Sequence, residues 1–200
     1  MTCQRYHGDL RRALLNEALR TIQAEGVEHL TLRTAGERLG VSRTAPYRHF
    51  TDKQALLAAV GSEGFRMLRQ ALASAWESNG RGRPGFEAIA DAYVGFAIEN
   101  SSHYRVNVRP IPRIRSEGRR FQSEAKAVFQ VRVDALVDQQ KASLIRLDDP
   151  LLMARFVWAV VHGVVMLAID GQLQPEDGKA EALNRYGIER LRTAIAAPGA

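Results

Sequence analysis

L30-T31-L32-R33-T34-A35-G36-E37-R38-L39-G40-V41-S42-R43-T44-A45-P46-Y47-R48-H49-F50-T51-D52-K53 reads as two short helices joined by a tight turn. Thr31 is a good N-cap, because its hydroxyl can accept from the orphan amides that open a helix, and Leu32, Ala35, Gly36 and Leu39 then recur at helical spacing. Gly40 ends that helix, since glycine enters the left-handed conformation without penalty. Val41 turns inward, and Ser42 can cap a second helix running from Arg43 to about Phe50. Such a helix-turn-helix presents the outer face of its second helix to the major groove of DNA.

The second helix is too short and too polar to stand alone. Pro46, Tyr47 and Phe50 are expected to supply its inner contacts, leaving Arg43, Thr44, Ala45, Arg48 and His49 outward. That set suits a groove: arginine offers paired donors to guanine, threonine bonds several bases, and a small apolar side chain touches a thymine methyl. Tyr47, His49 and Lys53 offer donors for phosphate oxygens, which fix register. With Thr31, Arg33 and Ser42 at the openings of the two helices, the candidate DNA contacts are Thr31, Arg33, Ser42, Arg43, Thr44, Ala45, Tyr47, Arg48, His49 and Lys53.

At these residues the chain resembles the TetR family of one-component transcription regulators. V41-S42-R43-T44-A45-P46-Y47-R48-H49-F50-T51-D52-K53-Q54-A55-L56-L57 follows the family's turn, recognition helix and fourth-helix start without a gap. The sequence departs from the family pattern at two places. Ala35 and Gly36 are smaller than the aliphatic-alanine pair usual there, which alters how closely the helices pack. Pro46 stands where leucine is common and removes one amide bond to the Ser42 carbonyl, costing up to ~3 kcal/mol at a fully interior helical position and less near a first turn.

Two hundred residues with 46% hydrophobic content can bury a substantial core. Lys and Arg number 28 against 22 Asp and Glu, a net charge of +6 that fits an anionic partner without choosing among nucleic acid, acidic ligand and solubility. The single cysteine, Cys3, excludes an intrachain disulfide framework and a cysteine-based metal cluster. Such cysteine usage fits a reducing cytoplasm, the expected location, and the opening M-T-C-Q-R-Y-H-G-D-L-R-R shows no apolar core of the kind a signal peptide needs. The longest near-apolar run, Phe156 to Ile169, contains His162 and is read as a buried helix too short to span a membrane.

The remainder reads as all-α, about nine helices in total, with no strand pattern of useful length. Leu10, Leu14, Ala18 and Ile22, widened by Leu15 and Leu19, make a first amphipathic helix that covers the helix-turn-helix; Arg11, Arg12 and Arg20 lie mostly off that stripe, as solvated surface. Asp52 can cap a long fourth helix to about Ser78, within which Gly61 and Gly64 permit a bend or a close contact. Residues 78–85 form a break, and a fifth helix runs from Phe86 to Asn100. A short helical turn is expected around His103 to Val108, then Pro110 and Pro112 end any helix. Arg105, Arg109, Arg113, Arg115, Arg119 and Arg120 make this the most basic region, read first as a solvated face and second as a phosphate or acid site. A helix from Arg119 to about Leu147 follows. Asp149-Pro150 then starts an eighth, apolar nearly all round, and Lys179 to Ala196 forms the last.

The resemblance extends here. W158-A-V-V-H162-G163 looks like the Trp-His-Gly signature of one TetR C-terminal subclass, and A92-Y93-V94-G95-F96-A97-I98-E99-N100 matches the fifth helix of that group. What the resemblance implies is a helix-turn-helix DNA-binding domain over 1–51 and a ligand-binding and dimerisation domain over 52–200. It implies a homodimer through the last two helices on a palindromic DNA operator, and a small-molecule effector between the middle helices. Tyr93, Phe96, Phe129, Trp158, His162 and Met166 are the candidate lining of that effector site, with His162 as polar anchor or, alternatively, a core histidine bonded to a carbonyl. Gly163 is read as structural, letting helices approach. Two rival functions come from other classes. One is a non-specific architectural DNA binder, for which positive charge suffices. The other is a small helical enzyme using His162 with Asp170 or Asp134, which lacks a visible nucleophile, metal set or phosphate loop; no cofactor is called for.

Overall fold

The computed structural model of the chain describes residues 9–108, 118–173 and 179–197. It divides into two compact units, Met1–Phe65 with Ser101–Glu124, and Arg66–Asn100 with Ala125–Ala200. Among the described residues there are eight α-helices and no strand; Ile145 and Ala196 form an isolated bridge.

In the first unit, the Asp9 carboxylate accepts from the Arg12 amide at 3.0 Å and opens α1 (Leu10–Glu25). Its stripe is buried as the spacing predicts, with Leu14, Leu15, Ala18 and Ile22 inside. Glu17 and Thr21 are buried beside them, which apolar periodicity could not foresee. The reason lies in α2 (Leu32–Arg38). Arg38 donates to Thr21 Oγ1 at 3.0 Å, lies 3.6 Å from Glu17 and pairs with Glu25 at 2.7 Å, so one guanidinium ties α2 along α1. Thr31 caps α2 as expected, in a reciprocal box with Thr34.

Asp52 opens α3 (Lys53–Ser78), accepting from the Ala55 amide at 2.8 Å. The expected turn near His103 is a full two-turn helix, α5 (Ser101–Val108), which with the start of α6 (Arg119–Lys141) closes this unit's core. Val106 and Phe121 are buried there, and the Phe121 ring tilts against Phe65 at 5.1 Å. A close contact, not a bend, explains the glycines of α3. A Cβ on Gly64 would lie 2.9 Å from His103 Cβ, and one on Gly61 would overlap the Phe121 ring.

His103 is buried beside the Arg12–Glu63 ion pair, and its Nε2 has no hydrogen-bond partner. Burial, with help from Arg12 and against the pull of Glu63, holds its pKa below the ordinary 6.5. The unfolded chain therefore takes up a proton that the folded chain resists. The His103 contribution is complete above about pH 6.5 and is lost as pH falls through that value. His103→Gln is expected to flatten the drop in urea midpoint between about pH 7 and pH 5.5. An unchanged slope would assign the acid sensitivity elsewhere.

In the second unit, α4 (Arg83–Glu99) starts three residues before the expected Phe86. Pro84 permits this, since the amide it lacks is not needed in a first turn. Gly85 is required by proximity, because a Cβ there would stand 2.8 Å from the Trp76 ring. The helix expected to reach Leu147 instead ends at Lys141. Ser143 takes a positive φ of 55°, the Leu144 amide turns back to the Gln139 carbonyl at 3.0 Å, and the Gln140 side chain holds the carbonyls of Arg146 and Asp148. Asp149 caps α7 (Pro150–Ile169) through the Leu151 amide at 2.8 Å, with Pro150 in the first turn as its sequence predicts. α7 packs on α4 and on α8 (Lys179–Ile195), and α4 packs on α8.

α7 is 20 residues long with mean hydropathy 2.0, enough by length and composition to cross a membrane. The shorter apolar run counted in the sequence misses its first turns, Pro150 to Arg155. Met153, Ala154, Val157, Val161, Val164, Val165 and Ala168 are buried within the unit, so one face of the helix belongs to the core. Leu152 and Phe156 on another face are exposed, against the fully buried helix expected from the sequence.

Candidate nucleic-acid interface and ligand cleft

The reading segment is helical in hand but not an α-helix. Arg43 to Ala45 form a turn and Pro46–Arg48 a 3-10 helix, where the sequence predicts one α-helix from Arg43 to Phe50. Pro46 is the cause, because it has no amide to give the Ser42 carbonyl. The Ala45 amide bonds that carbonyl instead at 3.0 Å, and Arg48 and His49 continue with three-residue bonds to Ala45 and Pro46. The segment is anchored by burial of Pro46 and Phe50. Tyr47, expected to help on the inside, is 54% exposed and joins the outer set.

Arg43, Thr44, Arg48 and His49 are all exposed, and Ala45 is half-buried. Glu37 lies close enough to Arg43 to feel its charge, and Glu37 itself pairs with Arg33 at 2.9 Å. That pair is fully exposed, so breaking it to meet a phosphate costs little. Thr31 is exposed at the start of α2 with its hydroxyl already engaged by the Thr34 amide at 3.0 Å. Ser42, expected to cap, is exposed ahead of the turn, and no side chain caps the 3-10 helix, whose N-cap is Ala45. Lys53 is half-buried, with its ammonium on the Glu28 carbonyl at 3.0 Å. Of the basic stretch, Arg105, Arg119 and Arg120 are exposed, while Arg109, Arg113, Arg115, Pro110 and Pro112 lie outside the described residues.

In the second unit a shallow apolar cleft with about 20 Å³ of enclosed room runs between α4, α6 and α7. Tyr93 and Trp158 line it, together with Phe86, Leu136, Val161 and Arg132. The Trp158 Nε1 donates to the Tyr93 hydroxyl at 2.9 Å. The Arg132 guanidinium lies 5.0 Å from the Tyr93 ring centre and 5.8 Å from that of Trp158, within cation–π range of both. His162 stands behind Trp158, ring centres 5.4 Å apart, and burial with the nearby Arg132 charge lowers its pKa.

Phe96, Phe129, His162 and Met166, expected in the lining, are outside it. The displacement is one of axial position. Phe96 follows the last lining residue of α4, His162 and Met166 follow that of α7, and Phe129 precedes the first of α6. Sequence places residues on a face well and along a bundle poorly. Arg132 is outside the expected set although its spacing carries the signal: it is four from Val128 and four from Leu136, on the apolar face itself.

α7 and α8 also carry exposed apolar side chains, Leu152 at 60%, Phe156 at 51% and Tyr186 at 56%. Gly187 brings α8 close to α7, its Cβ position lying 3.2 Å from Val160. Gly163, read as serving close packing, has no atom of the described residues within 4 Å of where a Cβ would stand.

The pattern of bacterial regulatory proteins of the tetR family matches residues 14–60, and that of the tetracyclin repressor-like C-terminal domain matches residues 86–191. The chain belongs to the TetR family. An Escherichia coli tetracycline repressor protein of class C is 46% identical over 50 residues, 25% of this chain and 23% of that protein. A Haemophilus influenzae protein described as an uncharacterized HTH-type transcriptional regulator is 29% identical over 100 residues, 50% of this chain and 49% of its own length. The chain thus aligns with half or less of either relative. A solved protein of unknown function from Rhodococcus sp. RHA1 is 31% identical with a TM-score of 0.83, covering 96% of this chain and 99% of that one.

Within the TetR frame the two departures noted in the sequence prove to be one. A Cβ on Gly36 would stand 2.7 Å from Pro46 Cγ and 3.6 Å from Val41 Cγ2. The smaller residue on α2 therefore makes the room that the proline ring occupies, and the packing is closer, not looser.

Proposed function

We propose that this TetR-family chain is a cytoplasmic transcriptional repressor that binds a palindromic DNA operator as a homodimer and is released by a small, mostly apolar ligand. The observation that carries the reading is the exposed ridge Arg43–Thr44–Tyr47–Arg48–His49, raised on the buried underside of Pro46 and Phe50. Residues 1–51 are the reading head in this account, and 52–200 hold ligand and partner. The repressor sense is taken from the tetracycline repressor named above, since a dimer seated on a promoter obstructs polymerase.

The homodimer is assigned to α7 and α8, whose outer faces expose Leu152, Phe156, Leu183 and Tyr186. Gly163 lies on the Phe156 face, seven residues on, where a partner helix can come close. Two reading segments then meet successive major grooves about 34 Å apart. Ligand acts by preferring a spacing of the heads that DNA does not fit, shifting the population by its differential affinity. α3, continuous from Lys53 to Ser78, is the element we assign as lever.

Selection of bound fragments from the source genome tests the whole. A regulator is expected to prefer its own site over scrambled DNA by ~10³ or more. Equal affinity for both would favour the architectural rival. Arg43→Ala is expected to cost about 1–3 kcal/mol of operator binding and relax preference at one base pair. Lys53→Ala is expected to weaken all sequences alike, through a lost phosphate contact and a lost tether to Glu28. Uniform losses for both in a binding titration would move Arg43 to the backbone-contacting set.

A further inference from the structure

We infer that Arg11, on the opening turn of α1, is a further DNA contact, a cation that meets a backbone phosphate beside the reading segment. The inference rests on the proposed DNA-reading role of Arg43 to His49. It follows from how differently the fold treats the three arginines of α1.

Arg11, Arg12 and Arg20 are all exposed, and the sequence reads all three as solvated surface. Their surroundings separate them. Arg12 donates to Glu63 at 3.1 Å and Arg20 pairs with Glu17 at 3.2 Å, so each is met by a carboxylate of this chain. Arg11 has no carboxylate partner among the described residues. The nearest acid in sequence, Asp9, is engaged at the helix opening, where it accepts from the Arg12 amide at 3.0 Å. The Arg11 guanidinium lies instead 5.4 Å from the centre of the Phe50 ring, within cation–π range. Phe50 is a buried anchor of the reading segment, and Arg48 and His49 just before it are exposed members of the ridge. α1 also packs directly on the 3-10 helix Pro46–Arg48. The one arginine of α1 that no carboxylate neutralises is thus the one placed beside the reading segment.

The stem of such a side chain covers apolar surface while its charged head stays in water. A contact with a ring face draws on the charge and leaves the N–H donors open. Phe50 therefore serves as a platform that limits where the head can go without satisfying it. When the ridge enters a groove, the phosphates bordering that groove come within reach, and a guanidinium binds phosphate oxygens in paired, charge-assisted hydrogen bonds. A contact of this kind fixes register and carries no base preference. Its signature is counterion release, read as the salt dependence of DNA affinity.

The test uses the full chain with two short duplexes, one carrying the genomic fragment selected above and one of scrambled sequence. Affinity is titrated from about 50 to about 200 mM salt for the parent, Arg11→Met, Arg11→Lys and Arg20→Met, with urea midpoints measured alongside. Methionine keeps a flexible apolar stem over Phe50 and removes the charge. Arg11→Met is expected to flatten the plot of log affinity against log salt by about 0.9 for each subunit bound, on both duplexes alike. Arg11→Lys should keep most of the parent's slope. Arg20→Met removes an equal charge from the same helix and should leave the slope close to the parent's. Arg11→Gln gives the same reading if the methionine variant misfolds. A lower urea midpoint with the parent's slope would make Arg11 a cover for Phe50 and overturn the inference. Equal flattening by Arg20→Met would trace the effect to net charge and overturn it as well. A loss confined to the selected duplex would make Arg11 a base reader and remove the phosphate assignment. A parent that bound neither duplex at the lowest salt would remove the DNA-reading role and this inference together.

Discussion

Phe156→Glu is expected to split the homodimer proposed through α7 and α8 and to lower affinity for the proposed operator about 10²- to 10⁴-fold. Phe156 sits on the outer face of α7 with half its surface exposed, in line with Leu152 and with the open Gly163. Covering one such ring is worth about 1.5–3 kcal/mol, and two-fold symmetry counts it twice. A glutamate there reverses the sign: each copy would bury an unpaired carboxylate or stay apart. The separated reading heads then bind as single half-sites, losing the effective concentration that pairing supplies. Sedimentation and a parallel titration with operator DNA measure both halves. A dimeric Phe156→Glu protein that bound its operator normally would place the interface elsewhere.

Gly36→Val is expected to destabilise the first unit near the upper end of the about 1–3 kcal/mol typical of overpacking. Its first added carbon already falls 2.7 Å from Pro46 Cγ, and a proline ring cannot swing aside as a flexible chain would. Replacing glycine in a helix returns about 0.5–1 kcal/mol for alanine, and less for a β-branched residue, so the clash dominates. Pro46 is the floor of the reading segment, so DNA affinity should fall together with stability. Pro46→Ala in the Gly36→Val background should recover part of both, with a coupling energy of about 0.5–3 kcal/mol. Denaturant titration of the four proteins decides it; strictly additive effects would mean that the two positions do not share one packing problem.

Much of this protein could be read before any coordinates. Leu10 to Ile22, Thr31, Asp52 and Asp149-Pro150 were placed correctly because caps and apolar periodicity act within a few residues, where sequence distance and spatial distance coincide. Misplaced boundaries have equally local explanations, visible only in three dimensions. Pro46 turned an α-helix into a tighter one, and the Gln140 side chain held an ending that no periodicity marks.

Local spacing and capping chemistry are enough to specify an all-α chain with a helix-turn-helix near its start. Tyr93 and Trp158, expected together from the sequence, do line one cleft. Three-dimensional packing brings Arg132 into the cleft beside Tyr93 and Trp158, leaves Phe96, Phe129, His162 and Met166 out of its lining, buries His103 and Glu17, and sets Gly36 against Pro46. Each of these depends on how far one helix slides along another. Interhelical register is set by the fit of side chains distant in sequence, and a one-dimensional pattern carries the face of a helix but not its height.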